Sequence, residues 1–333
     1  LSRVQSRLSD AGIEALVGHE MEFVLVGPDG ARLPSHLWAQ YGLAGVLEFE
    51  GFITDVTNAA AASGVAIEQF HPEYGANQFE ISLAPPDPVA AAEPLILLRI
   101  IVGRVARNSG LRVSRSPVPF AGSVGSGAHQ HFSLTRGDTP LFSGGDGPGG
   151  MTTEGASAVA GVLGSLAQAQ GVLCGSILSG LRMTPGSWSG AYTCWGTENR
   201  EAAVRFLPAG AANPRGANVE VKVVDPSANP YIATAAILGL ALDGIDRGLA
   251  APEQVTVDPS SLTDAQRAEA GIGLLTPHQS EAIDTLDGSA LLRTVLGDDV
   301  VDAVVAVRRY EHTNFADLSP DELAEKFRLA WSV

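Results

Sequence analysis

The stretch GHEMEFVLV, residues 18–26, sets Glu20 and Glu22 two positions apart inside an apolar run. A β-strand sends residues i and i+2 to the same face, so both carboxylates leave this strand together. Two like charges sharing a buried face are costly unless something positive lies between them. Any fold that accepts this strand must bring a positive group to it.

The same demand recurs along the chain. IEQFHPEYGANQFEISL supplies Glu68, Glu73 and Glu80, GAHQHFSL places His129 and His131 on one strand face, and NVEVKVVD carries Glu220. A single strand glutamate ordinarily faces solvent, but six on apolar strands do not all arise that way. Carboxylates joined by imidazole suit hard divalent ions, Mg²⁺ or Mn²⁺, rather than structural zinc. Several such groups imply paired ions, the usual apparatus of phosphoryl transfer. Arg182, Arg200, Arg205 and Lys222 stand in neighbouring segments as partners for phosphate. The pattern points to nucleotide-dependent chemistry.

The remaining segments read as a mixture of strands and helices. Residues 2–11 and 49–63 are expected as helices stopped by Gly12 and Gly64, and residues 65–70 and 78–83 as strands around the loop HPEYGAN. Asp87 and Pro88 give a cap and a first-turn proline for a long helix ending near Gly110, which Pro94 should kink or delay. GSGAHQHFSL, EAAVRFLP and ANVEVKVV read as strands, and NPYIATAAILGLALDGI as a buried helix. The loop SGGDGPGG, residues 143–150, is a surface connector. The last 60 residues are mainly helical, with SPDE as a capping box in which Ser319 is the cap and Glu322 its partner. There is no internal repeat and no regular βαβ alternation, so the fold class is α+β rather than a doubly wound sheet.

With 333 residues, 45% of them hydrophobic and 17% charged, the chain can bury a large core. A net charge of -16 argues against nucleic acid or an anionic membrane as partner. Cys174 and Cys194 have neither disulfide-framework nor metal spacing and are expected as buried thiols. The chain opens on Leu1, so a segment upstream is expected. No signal segment follows and the apolar stretches are too short to span a bilayer, so a cytoplasmic protein is expected.

HEMEF, HPEYGANQFE, GSGAHQHFSL, NREAAVRF and VEVKVVDPSANPY, in that order, resemble the catalytic domain of the glutamine synthetase family from about residue 14 to 312. The resemblance implies a curved, largely antiparallel sheet backed by helices, with residues 1–333 as a catalytic domain. It further implies that Glu22, Glu73 and Glu80 hold the ion near the substrate glutamate. Glu20, His129 and Glu220 would hold the ion that bridges ATP phosphates, and Glu68, His131 and Ser133 would surround the nucleotide. Gly125 and Arg182 match contacts to glutamate, and Arg200 and Arg205 match contacts to phosphate, Arg205 on the nucleotide side. The implied reaction joins the γ-carboxylate of glutamate to an amine through γ-glutamyl phosphate, with ATP and Mg²⁺ or Mn²⁺. The family's small N-terminal domain, which completes each active site across a subunit boundary in ring-shaped homo-oligomers, is expected to be absent from this sequence.

Departures from the family pattern cluster on the glutamate and amine sides. In RMTPGSWSGAY, Trp188 takes the place of a glutamate that lines the ammonium site in ammonia-using members. An indole cannot accept a proton, but its face can hold an alkylammonium ion; the alternative is that it only packs the loop. Lys222 stands where arginine is expected and loses the bidentate fork, with Asn218 two residues before Glu220, and Val124 replaces the asparagine before Gly125. The implied substrate is thus a polyamine or another alkylamine, as in family members that make γ-glutamylamides. The alternatives are a glutamine synthetase using ammonia and a noncatalytic family member. No tyrosine lies between Tyr231 and Tyr310, so the adenylylation switch of some bacterial members is not expected.

Overall fold

β1 (Ile13–Val26) is the axis on which the fold is assembled. Its odd-numbered side chains other than His19 are apolar: Ile13, Ala15 and Val17 enter one core cluster, and Met21, Phe23 and Leu25 enter another. The even-numbered face carries Gly18, Glu20 and Glu22. The strand's period of two therefore separates core from site. The computed structural model describes residues 1–331 apart from His36, Ala212, Pro214 and Arg215.

The other strands are β2 (Ile67–Pro72), β3 (Gln78–Leu83), β4 (Arg112–Ser114), β5 (Gln130–Arg136), β6 (Thr139–Pro140), β7 (Tyr192–Thr197), β8 (Ala202–Leu207), β9 (Asn218–Val221) and β10 (Gly273–Leu274). They form one sheet in the order β10-β7-β8-β9-β5-β1-β3-β2, with β4 added to β1 and β6 to β5. Of the described pairings only β7 with β8 is parallel. β1 is long enough to change neighbours: residues 13–19 pair with β5 and residues 20–24 with β3. This handover places Glu20 and Glu22 at the sheet's centre, with Glu22 opposite Glu80.

The faces of β3 divide in the same way. Phe79 packs edge-on against Trp38, Phe49 and Phe70 at centroid distances of 5.3, 5.6 and 5.7 Å. Such contacts contribute about 0.5–1.5 kcal/mol each beyond area burial. Its neighbours Gln78 and Glu80 are thereby fixed on the opposite face. Helix Pro88–Asn108 covers the odd face of β1 with Leu95, Leu98 and Val102, while helices Thr153–Gly164 and Pro230–Asp246 cover the larger core.

The α+β class expected from the sequence is the one observed, with four local differences. The helix expected over residues 49–63 runs Glu50–Ala62, and a short helix Leu43–Glu48 that was not expected precedes it. The strand expected at 65–70 runs Ile67–Pro72. Pro94 does not delay its helix, because Asp87 accepts from Ala90 N and starts it at Pro88. His129 lies just before β5, although its carbonyl still accepts from Glu20 N at 3.0 Å. Ser319 and Glu322 form both limbs of the expected capping box, and both cysteines are buried and free. Among the described residues no single helix is long and apolar enough to cross a membrane.

Candidate active site

The even face of β1, the exposed side of β2 and β3, the turn before β5, and the ends of β8 and β9 enclose one cavity of about 670 Å³. Twelve of the fifteen residues given site roles from the sequence line it: Glu20, Glu22, Glu73, Glu80, Gly125, His129, Arg182, Trp188, Arg200, Arg205, Glu220 and Lys222. Three do not. His131 sits behind the cavity wall, held by Glu20 Oε1 at 3.0 Å and Asn218 Oδ1 at 2.9 Å. Ser133 lies two residues further along β5, opposite Leu16. Glu68 is exposed beside a register shift in β2, and its neighbour Gln69 lines the cavity instead.

One half of the cavity carries charges that compensate each other. Glu220, 2% exposed, stands 3.2 Å from both Lys222 Nζ and Arg205 Nη1, and 3.4 Å from His129 Nδ1. Burial opposes its ionisation, but Lys222 foremost among its neighbours holds it down at about 2. Glu20 accepts from His129 Nδ1 at 2.9 Å and faces His131. Burial would raise it, yet the charge of His131 and both imidazole hydrogen bonds keep it well below the usual carboxylate range. Burial likewise disfavours the cationic form of His131, and Glu20 outweighs it, lifting His131 to about 9. Arg182, 7% exposed, donates to His129 Nε2 at 3.3 Å and to Lys222 O at 3.1 Å.

The other half lacks such compensation. Glu22 Oε2 accepts from Gln78 Nε2 at 3.0 Å and Gly127 N at 2.9 Å. Burial, then the charge of Glu22, pushes Glu73 up to about 7. Burial together with Glu20, Glu22 and Glu73 drives Glu80 well above its ordinary value. Among the described residues, the basic group within ion-pair distance of both is His71, at 3.4 and 3.3 Å, and burial lowers its affinity for a proton. The positive charge that Glu20 receives from His131 is therefore missing at Glu73 and Glu80.

The donor set fits hard divalent ions. Ligand atoms of Glu20, His131 and Glu220, of Glu20, Glu80 and His129, and of His71, Glu73 and Glu80 each lie within 4.8 Å of one another. These groupings cut across the division implied by the resemblance: Glu20 and Glu80 each fall in two of them, His71 and His131 are added, and Glu22 is in none. Room for an ion depends on Gly127: a Cβ there would fall 2.4 Å from His129 Nε2 and 2.9 Å from Glu22 Oε1. His71, Gln78, Tyr41, Tyr74 and Gln69 are cavity residues not identified in the sequence. The spacing of His71 two residues before Glu73, on the strand preceding it, was the signal available for one of them.

Trp188 stands at the solvent side of the cavity, 41% exposed, its ring meeting Tyr74 edge-on at 4.8 Å. Val124 lies on the same rim, 46% exposed.

Residues 1–325 match the family model described as glutamine synthetase, catalytic domain. Over 321 residues the chain is 40% identical to gamma-glutamylpolyamine synthetase GlnA3 of Streptomyces coelicolor, covering 95% of this chain and 69% of that protein. It is 30% identical to a glutamine synthetase of Clostridium saccharobutylicum, covering 95% and 71% of the two. A solved structure of a novel glutamine synthase homologue superposes with a TM-score of 0.86 at 30% identity, covering 98% of this chain and 73% of the other. The chain belongs to the glutamine synthetase family of ATP-dependent carbon–nitrogen ligases.

Proposed function

We propose that this chain joins the γ-carboxylate of glutamate to an alkylamine, in the first instance a polyamine. The observation that carries this reading is Trp188, an exposed indole on the cavity rim backed by Tyr74. An aromatic face binds an alkylammonium ion with about 0.5–2 kcal/mol, and the aliphatic chain of a polyamine adds apolar contact that ammonium lacks. The similarity to gamma-glutamylpolyamine synthetase GlnA3 supports the same reading.

In this reading Glu20, His129 and Glu220 would hold one divalent ion, and Glu22, Glu73 and Glu80 a second, with His71 beside the latter, all of them lining the one cavity. Mg²⁺ or Mn²⁺ so held supplies positive charge against the ATP phosphates and the glutamate carboxylate. The side chains do the rest. Arg200 and Arg205 face the cavity and oppose the charge that spreads over the transferred phosphoryl group. Lys222 contributes a point charge where the family pattern has a fork. Arg182 and Gly125 border the glutamate subsite, while Glu68, His131 and Ser133 belong to the nucleotide side. The γ-carboxylate takes the γ-phosphoryl group and releases ADP, and the free amine then displaces phosphate from γ-glutamyl phosphate.

A panel of amines tests this on the full-length protein. Glutamate-dependent ADP release is expected to be faster with putrescine, spermidine or spermine than with ammonium at equal concentration. Equal or greater turnover with ammonium would identify a glutamine synthetase with an altered ammonia site. No turnover with any amine, while Mg²⁺–ATP still binds, would identify a noncatalytic member. Trp188→Ala is expected to raise the KM for the polyamine about 2- to 30-fold, the range of one cation–π contact, without moving the KM for ATP.

A further inference from the structure

The loop over residues 183–189 has no carboxylate of its own, but the neighbouring turn places one beneath it. Glu201 is 3% exposed and does not line the cavity. Its Oε1 accepts from Trp188 N at 2.6 Å and its Oε2 from Gly186 N at 3.2 Å. Among the described residues no lysine or arginine lies within ion-pair distance of it, so this buried charge is satisfied by main-chain donors.

Those donors belong to an unusual backbone. Trp188 has φ 55 and Gly186 φ 78. Glycine occupies this left-handed region freely, but a bulky side chain does so only where the surroundings enforce it. The enforcing group is itself fastened. Glu201 N donates to Asn199 Oδ1 at 3.1 Å, and Asn199 Nδ2 donates to the carbonyls of Val255 and Val257 at 2.8 and 2.9 Å. The same turn presents Arg200 to the cavity on its other side.

We infer that Glu201 is a positioning residue for amine specificity, holding Gly186 and Trp188 in the left-handed conformations that present the Trp188 ring to an alkylammonium substrate. It does not serve as the proton acceptor, since both oxygens are taken and it stands outside the cavity. This inference rests on the amine reading of Trp188 proposed above. A carboxylate can accept from both N–H groups, whereas the amide of a glutamine matches one and opposes the other with its own donor. Charge-assisted bonds of this kind are about twice as strong as neutral ones, so an isosteric change is sufficient to release the loop.

The test uses the full-length protein with Glu201→Gln, Trp188→Ala and the double variant, measuring KM for polyamine, glutamate and ATP separately. Glu201→Gln is expected to raise the polyamine KM about tenfold, with kcat, Tm and the other two KM values little changed. Once Trp188 is alanine the same change is expected to add less than about twofold, because the ring it positions is gone. Independent, multiplying effects overturn the inference, as does a parallel rise in all three KM values. Should Glu201→Gln fail to fold, Glu201→Asp is read in the same way: it keeps the charge but cannot span both N–H groups. Failure of the amine reading looks different. Wild-type turnover would then show no preference for polyamine over ammonium, Trp188→Ala would leave that ratio unchanged, and the role of Glu201 would fall with it.

Discussion

Replacing Glu220 by alanine is expected to abolish measurable ligation and to destabilise the protein, whereas Glu220→Gln is expected to lose activity and keep the fold. Glu220 is 2% exposed and lies within 3.4 Å of Lys222, Arg205 and His129. Alanine leaves the buried Lys222 without its anion and Arg205 with Glu198 alone. Breaking a buried ion pair from one side costs about 3–5 kcal/mol, a large fraction of the stability of a single domain. Glutamine fills the same space and still accepts one hydrogen bond, but it offers no charge to a divalent ion. Turnover of the glutamine variant is expected to fall about 10²–10³-fold, the scale for removing one preorganised electrostatic group. Circular dichroism and Tm on both variants separate the two losses. A glutamine variant with near-normal turnover would exclude Glu220 from the machinery.

Glu220 was legible in the sequence because VEVKVV sets a charge among apolar strand residues. Glu20, Glu22 and Glu80 were legible for the same reason. The period of two also implied that Phe23 and Phe79 would point away from them, as they do in the aromatic core. The short strands were not legible. β4, β6 and β10 have three residues or fewer and are made by their partners rather than by their own pattern. Gln78 and Tyr41 escaped for a related reason: neutral polar residues break no local rule, and their importance comes from what the fold brings to them. Glu201 is the sharpest instance. NREAAVRF reads as one more charged turn, and only the approach of the 183–189 loop shows that its carboxylate is consumed by Trp188 and Gly186. Glu68 lies outside the cavity, and beside the register shift in β2 it is Gln69 that lines it.

Freed of divalent ions, the protein is expected to lose stability as pH rises from about 7 to 9, and Mg²⁺ or Mn²⁺ is expected to restore it with release of protons. Glu73, at about 7, and Glu80, well above the carboxylate range, bind protons more tightly folded than unfolded. A group with a raised folded pKa stabilises below its unfolded value and loses that contribution as pH passes through the folded one. His131, raised to about 9, acts in the same direction between 6.5 and 9. His71 and His19, the latter lowered to about 3, act oppositely, but their contribution is complete above 6.5. Glu20 and Glu220 stay ionised throughout this window in both states. The net slope above 6.5 from these groups is therefore negative. An ion bound at a hundred times its Kd contributes about 2.7 kcal/mol, and it must displace the protons that Glu73 and Glu80 hold. At pH 7 Glu73 is about half-protonated and so releases about half a proton, and Glu80, raised in the same direction, adds to that number. Calorimetric titration of the ion in buffers of different ionisation enthalpy measures the number directly, and thermal melts with and without the ion measure the slope. Proton uptake on binding, or an ion-free Tm that rises from pH 7 to 9, would mean that these carboxylates already have a positive partner and that the cavity is not built around metal.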